Sequence, residues 1–322
     1  MDGLVTHHLL FTGEVVTPLE LDDHSGAALR GSFFEAVWGR FCTNKAAATC
    51  ADCPLHTMCP VSTLVAPLRE ENPRGRDIPR PYVILPPLGE ARRYEPGQSL
   101  MFGITLFGTI IQMLPYIVMS IEGLEAHGLG HKIAENSYQR GRFKIKQIES
   151  YHPLHGTRQV VYQAGKPLVN APTLSVTASE VKARAVRLPT HEITLNFLTP
   201  TRLIEQERPL RCAVFRPLMH RLLERLAALQ SAYSSSEENK VEEQQRYLEL
   251  AERVKCVEDQ TSWREVTSYS RRAKGRSPIG GIVGKATFGG NLASFRELLA
   301  WGELVHVGKN CVKGNGWYKI ED

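Results

Sequence analysis

The sequence predicts an α+β protein built from two similar halves, and three observations lead there. Strand-like and helix-like segments follow one another in the order strand, helix, strand, strand, helix, strand, and that order occurs twice. The length of 322 residues, with 42% hydrophobic and 23% charged residues, supports two ordinary cores and is too mixed for disorder or a coiled coil. Glycine-marked loops stand at corresponding places, just before or within the last strand of each half.

The first strand is Val5 to Val16 (VTHHLLFTGEVV), rich in strand formers and ending near Pro18. Asp23 or Ser25 can cap the following helix, where Leu29, Phe33, Val37 and Phe41 recur every fourth residue and Phe34 and Trp38 widen the stripe. A cysteine loop closes it. Tyr82 to Leu85 and Ser99 to Phe107 read as strands and Thr109 to Leu124 as a helix, while Arg142 to Ile148 alternates basic and apolar residues as a strand with one wet face does. From about Tyr151 to Pro189 the pattern is less regular.

The second series opens with the alternation of His191 to Ile204. Pro217 sits at a helix start, where its missing N–H costs nothing, and Leu218, Leu222, Leu226 and Leu229 mark the buried face. A polar break (SSSEENK) precedes a helix around Val241 to Val254. Trp263 to Tyr269 and Ile279 to Phe288 read as strands joined by a basic loop, Asn291 as the cap of a helix carrying Leu292, Phe295, Leu298 and Leu299, and Gly316 to Ile320 as the last strand. Two such units make two tandem ferredoxin-like domains, each an antiparallel sheet with helices on one face. The boundary is placed near residue 185, giving domains 1–185, with the four-cysteine loop inserted at 42–59, and 186–322.

The net charge of +5 suits a polyanion partner only if the cations share a surface. The N-terminus carries no basic region followed by an apolar stretch, so the cytoplasm is the expected compartment. Pro96 to Ile121 holds no charged residue and is long enough to raise a membrane-spanning reading, but Gly97, Gly103, Gly108 and Pro115 break it. It reads as a buried strand running into a buried helix, and no membrane partner is expected.

Seven cysteines are an odd number, and Cys42, Cys50, Cys53 and Cys59 fall within one loop with a C-x-x-C pair at its centre. Four thiolates satisfy tetrahedral zinc, so the loop reads as a structural zinc site. An iron–sulfur cluster also takes four cysteines, and reduced free thiols are the plain alternative. With all four ligands used, no open position for metal catalysis is expected. Cys212, Cys256 and Cys311 are scattered and read as packing residues.

The tail from Ile279 to Ile320 carries GGIVG at Gly280 to Gly284, GELVHVGK at Gly302 to Lys309 and GNGWY at Gly314 to Tyr318. In these elements it resembles the C-terminal domain of the CRISPR repeat-processing endoribonucleases, a branch of the RAMP superfamily. The resemblance is close over roughly forty residues, and looser over the rest of the chain, in its architecture and in LRGSFFEAVWGRFC with the cysteine cluster. It implies a RAMP, or RRM-like, fold and cleavage of the repeat in CRISPR precursor RNA to give guide RNAs. It also implies metal-independent chemistry: the ribose 2′-OH attacks the adjacent phosphate, leaving a 2′,3′-cyclic phosphate and a 5′-OH. Such a reaction needs a base near the 2′-OH, an acid near the leaving oxygen and a cation for the developing charge.

In related enzymes a histidine near the first helix commonly supplies the base or acid, which points to His24 at that helix's start, with His56 in the loop beyond its end. His306 lies within GELVHVGK, flanked by apolar residues, and reads equally as a buried, hydrogen-bonded histidine. No His-plus-Tyr pair stands at a diagnostic spacing, and a site built on Lys45 and Tyr269 is the other arrangement. For RNA binding the candidates are Arg271, Arg272, Lys274 and Arg276 in the hairpin loop, and Arg140, Arg142, Lys144 and Lys146, the last three on one strand face. Lys309 and Lys313 in the glycine-marked tail join them, since glycine lets backbone N–H groups approach an anion. Tyr269 can stack on an unpaired base. Repeat or guide RNA is thus the expected partner, with other CRISPR effector subunits beside it. A RAMP subunit that holds the guide without cutting is the second reading.

Overall fold

A computed structural model describes residues 3–67, 78–89, 92–234, 241–270 and 275–321. By contacts the chain divides into two compact units, one of Val5–Ser175 with Ala232–Ser234, the other of Met1–Leu4, Val176–Ser231 and Ser235–Asp322. The main division thus falls between Ser175 and Val176, ahead of the expected boundary near 185.

In the N-terminal unit, strand β1 (Thr6–Val15) leads to helix α1 (Gly26–Phe41) and a short α2 (Pro60–Val65). Strands β2 (Tyr82–Leu85) and β3 (Ser99–Phe107) follow, then α3 (Leu114–Met119) and α4 (Ile121–His127). A hairpin of β4 (Leu129–Ile133) and β5 (Gln139–Gly141) precedes β6 (Phe143–Tyr151) and β7 (Arg158–Gln163). The sheet runs β2-β3-β1-β6-β7, all neighbours antiparallel. Without the added edge strand β7, this is the fourth–first–third–second order that the doubled strand-helix-strand pattern predicts. The helix read over Thr109 to Leu124 is broken into a 3-10 segment (Gly108–Met113), α3 and α4. Gly108 and Pro115, already noted as breakers, stand in the first two pieces.

Alternation places Leu9 and Phe11 of β1 inward, where Phe11 stacks on Phe102 of β3 at 4.9 Å between ring centres. From α1, Leu29, Phe33 and Val37 are buried as their spacing predicts, each contributing about 2 kcal/mol of apolar burial. Ser25 takes the N-cap position of α1, but its side chain makes no capping hydrogen bond.

The C-terminal unit begins with α5 (Ala178–Arg187), inside the stretch the sequence left irregular. Its start is a capping box, with Thr177 and Glu180 satisfying each other's backbone N–H groups. Then come β8 (Glu192–Thr201), α6 (Phe215–Tyr233), α7 (Val241–Ala251), β9 (Lys255–Asp259) and β10 (Ser262–Arg264). A hairpin of β11 (Thr267–Ser270) and β12 (Gly275–Pro278), strand β13 (Gly281–Gly289), helix α8 (Arg296–Val305) and β14 (Tyr318–Glu321) complete it. The sheet order β9-β13-β8-β14 repeats fourth–first–third–second, and β10 also pairs with β13. Leu218, Leu222, Leu226 and Leu229 of α6 are all buried. The strand read as Trp263 to Tyr269 is two pieces, because Glu265 and Val266 part β10 from a separate hairpin. The second strand of the sheet is instead β9.

The uncharged stretch Pro96 to Ile121 folds as β3 followed by short helices, and among the described residues no helix is long and apolar enough to cross a membrane.

Candidate nucleic-acid interface

The glycine-marked tail is packed upon itself. Gly302 lies on α8 where an added Cβ would sit 2.0 Å from the Tyr318 hydroxyl, and that hydroxyl donates to the Leu299 carbonyl at 2.8 Å. Gly316 has φ +75°, and a Cβ there would meet the Val307 carbonyl oxygen at 1.9 Å. Buried Asn315 donates through Nδ2 to the carbonyls of Pro200 (3.1 Å) and Ile279 (2.8 Å). Buried Glu303 accepts from the Ile320 N–H at 2.9 Å, fixing β14. The motif that resembles a family is therefore dominated by residues that hold this unit together.

His306 belongs to that packing. It is fully buried at the end of α8 with φ +62°, its ring stacks on Trp317, and its Nδ1 lies 3.1 Å from the Asn315 carbonyl oxygen. His24, just ahead of α1, is 5% exposed. Lys45 is exposed beyond the far end of α1, its ammonium 5.3 Å from the Trp38 ring centre. The 16-residue helix between His24 and Lys45 is about 24 Å long, so these two do not form one acid–base pair. Tyr269 is 64% exposed on β11. His56 donates its Nδ1–H to the Cys53 carbonyl at 3.1 Å within the cysteine loop.

On the C-terminal unit, Tyr269 stands directly across the ladder from exposed Arg276, side by side on one face of the hairpin. Next to Tyr269, Ser268 accepts a hydrogen bond from the Lys313 ammonium at 3.1 Å, which ties the tail to the hairpin. Lys309 is exposed. Arg271, Arg272 and Lys274 lie outside the described residues. Sequence reasoning missed a neighbouring group: the Trp263 ring carries Arg202 at 5.6 Å and Arg211 at 4.7 Å. The two arginines come from separate segments, so no local spacing announces them.

The basic strand of the N-terminal unit does present Arg142, Lys144 and Lys146 on one exposed face. Carboxylates temper it: Lys144 bonds Glu125 at 2.8 Å and Lys146 pairs with Glu14 at 3.3 Å. The hydrogen bond to Glu125, more than its charge, holds the Lys144 ammonium above its ordinary range. Arg140 donates to His127. Lys144 and Lys146 line a groove with Arg40, Glu122, Glu125 and Tyr162.

The four loop cysteines form no disulfide, and none of residues 42–59 is buried. Cys42 caps the end of α1, Cys50 and Cys53 open and close a 3-10 turn, and Cys59 is the N-cap of α2. Burial, then the charges of Cys42, Cys59 and Cys53, push the Cys50 thiol up. Asn44 donates to the Cys53 sulfur at 3.6 Å. Among the described residues, no three of these sulfurs lie within 4.8 Å of one another. Of the remaining cysteines, Cys311 is buried, Cys256 half-buried and Cys212 exposed, so packing accounts for Cys311 and not for Cys212.

No curated protein matches the chain. Residues 4–174 match a family model described as an N-terminal domain, and residues 195–318 match that of the CRISPR-associated endoribonuclease Cas6. Among solved structures, a Cas6 (TTHB231) product complex aligns with TM-score 0.56 at 16% identity, over 98% of this chain and 99% of that one. Thermus thermophilus Cas6 (TTHB231) aligns with TM-score 0.55 at 15% identity over 100% of both chains. A partial Cas6-RT-Cas1–Cas2 complex aligns with TM-score 0.61 at 13% identity, over 99% of this chain and 46% of that one. The two family models thus divide the chain much as the fold does: the C-terminal unit is similar in sequence to the CRISPR-associated endoribonuclease Cas6 over residues 195–318, and the chain as a whole shares the fold of the Cas6 structures.

Proposed function

We propose that this chain binds the repeat of a CRISPR transcript and cuts it without metal, with the C-terminal hairpin as its principal RNA contact. The observation that carries the reading is the exposed Tyr269 opposite Arg276, beside Lys313 and next to the basic loop. An aromatic face for an unpaired base and cations for its phosphates are what single-stranded RNA binding requires. Arg271, Arg272, Lys274 and Lys309 extend this surface in the proposal. Arg140, Arg142, Lys144 and Lys146 form the second contact, with RNA phosphates replacing the carboxylates that now pair with Lys144 and Lys146.

In the step proposed, a base takes the 2′-OH proton, the 2′-oxygen bonds to phosphorus, and the P–O5′ bond breaks as the 5′-oxygen receives a proton. Lys45 and Tyr269 are exposed and can meet RNA directly, Lys45 as a charge stabiliser and Tyr269 as a proton carrier or stacking group. His24 serves as base only where RNA binding uncovers it. His306, inside the tail's packing, supports the fold whether or not it also enters the chemistry. The finished guide stays bound for hand-over to other CRISPR subunits in the cytoplasm. The test is labelled repeat RNA incubated with single variants of His24, Lys45, Tyr269 and His306, followed by analysis of product ends. Loss of cutting with retained binding assigns a catalytic group; tight binding with no cut by the parent chain indicates a guide-holding subunit.

We propose also that Cys42, Cys50, Cys53 and Cys59 hold a structural zinc ion. In support, the loop has no buried residue to fix it, its cysteines sit at the ends of short helical elements, and four thiols match the donor set zinc prefers. Sulfurs about 2.3 Å from zinc lie roughly 3.8 Å apart, so binding draws these half-exposed side chains inward. Absorbance of the purified protein separates zinc, which is colourless, from an iron–sulfur cluster.

A further inference from the structure

A second aromatic stands on the surface at a conformational cost. At the turn of the β4–β5 hairpin, Ser137 and Tyr138 both have positive φ, 53° and 58°. Serine tolerates that region poorly and a bulky aromatic worse, so such a pair persists only where the surroundings dictate it. Here they do. Asn136 donates to the Pro18 carbonyl at 2.7 Å, and Glu135 accepts from Arg93, which also binds Glu20 and Glu95. At the hairpin's base, Gly130 has φ +80° and a Cβ would meet the Glu20 carbonyl oxygen at 2.0 Å, so the hairpin is pressed onto the Leu19–Glu20 segment. The Tyr138 N–H bonds the Ile133 carbonyl at 2.9 Å, closing the turn.

The outcome of this bracing is a tyrosine that is 71% exposed. Its ring contributes little to the core, yet the backbone beneath it is strained and pinned at several points. Lys132 and Arg140 face each other across the ladder just below the turn, and Arg142 follows on the same chain segment. We propose that Tyr138 is a preorganised stacking platform for one unpaired nucleobase of the bound RNA, with Lys132, Arg140 and Arg142 taking the adjoining phosphates. The inference rests on the RNA-binding reading above and adds a specific contact on the N-terminal unit. Rigidity matters because a ring carried on a pinned backbone loses less conformational freedom on stacking than one carried on a loose loop.

The test compares Tyr138→Phe, Tyr138→Ala and Tyr138→Gly in the full chain. Each is titrated against fluorescein-labelled repeat RNA and against the same RNA carrying 2-aminopurine at successive unpaired positions. Tyr138→Phe should bind as the parent does, whereas Tyr138→Ala and Tyr138→Gly should bind about 5- to 100-fold more weakly, the range expected for one lost base stack. One 2-aminopurine position should be quenched by the parent and not by these two. Because glycine adopts positive φ freely, Tyr138→Gly should melt at the same temperature as the parent or higher. Parent-like affinity of the Gly variant overturns the proposal while leaving RNA binding intact. A lowered melting temperature of that variant overturns the argument from strain, and failure of the parent to bind RNA overturns both readings.

Discussion

The tail from Gly302 to Tyr318 and the loop from Cys42 to Cys59 are the two segments whose residue choices stand out most, and they are organised in opposite ways. In the tail nearly every distinctive residue is buried against another: Gly302 against Tyr318, Gly316 against Val307, Asn315 against two carbonyls, His306 against Trp317. In the loop no residue is buried, and the distinctive side chains are half-exposed thiols. The tail is held by the chain itself, so its motif records packing. The loop has hydrogen bonds but no buried residue, and the zinc ion proposed above is what would draw its thiols together. A motif's recognisability and its chemical role are therefore separate properties.

The sharpest break of that comparison is Gly316→Ala. The new methyl group meets backbone at 1.9 Å in a conformation that disfavours it, so unfolding in urea should show a loss of about 4 kcal/mol, strain and overpacking combined. The loop should respond to metal instead. With zinc at a hundredfold excess over its dissociation constant, the parent should gain about 2.7 kcal/mol over the chelated protein. Cys50→Ser should lose most of that gain and differ little from the parent once both are chelated, as calorimetry would show.

At the exposed hairpin, Tyr269→Ala should weaken repeat RNA binding by about 5- to 100-fold through lost stacking, with an unchanged melting temperature. A smaller effect of opposite sign is expected from Glu125→Gln. The amide still accepts from the Ile145 N–H but no longer neutralises Lys144, so RNA should bind about 2- to 3-fold more tightly with a steeper salt dependence. The smallest effect concerns His7, whose imidazole burial pushes down from its ordinary value of 6.5. The unfolded chain then takes up a proton that the folded chain resists, so stability should be level above pH 7 and decline as pH falls through 6.5. His7→Leu should flatten that slope in thermal melts across roughly pH 5 to 8, where histidine changes charge.

Much of the fold was legible because both sheets rest on local patterns. The strand formers of β1, the alternation in β6 and β8, the fourth-residue spacing in α1 and α6, and the order of elements all survive into the structure. Strand β9 was not legible: Lys255 to Asp259 is a mostly exposed edge segment with little apolar signal. Helix α5 was legible and overlooked, since Thr177 and Glu180 have the spacing of a capping box. The candidate site was harder to read because pairing and burial are tertiary. Nothing near Lys144 in sequence announces Glu125, and nothing near Trp263 announces that Arg202 shares its ring with Arg211. Tyr138 was hidden for a related reason, its conformation being imposed by Pro18, Arg93 and Glu20 from elsewhere in the chain.

The most direct test of the account incubates the purified protein with labelled repeat RNA from its own locus in excess EDTA and identifies the product ends. One cut within the repeat is expected, with a 2′,3′-cyclic phosphate on one product and a 5′-OH on the other. Cutting that appears only when a divalent cation is restored, or binding with no cut under either condition, would contradict it.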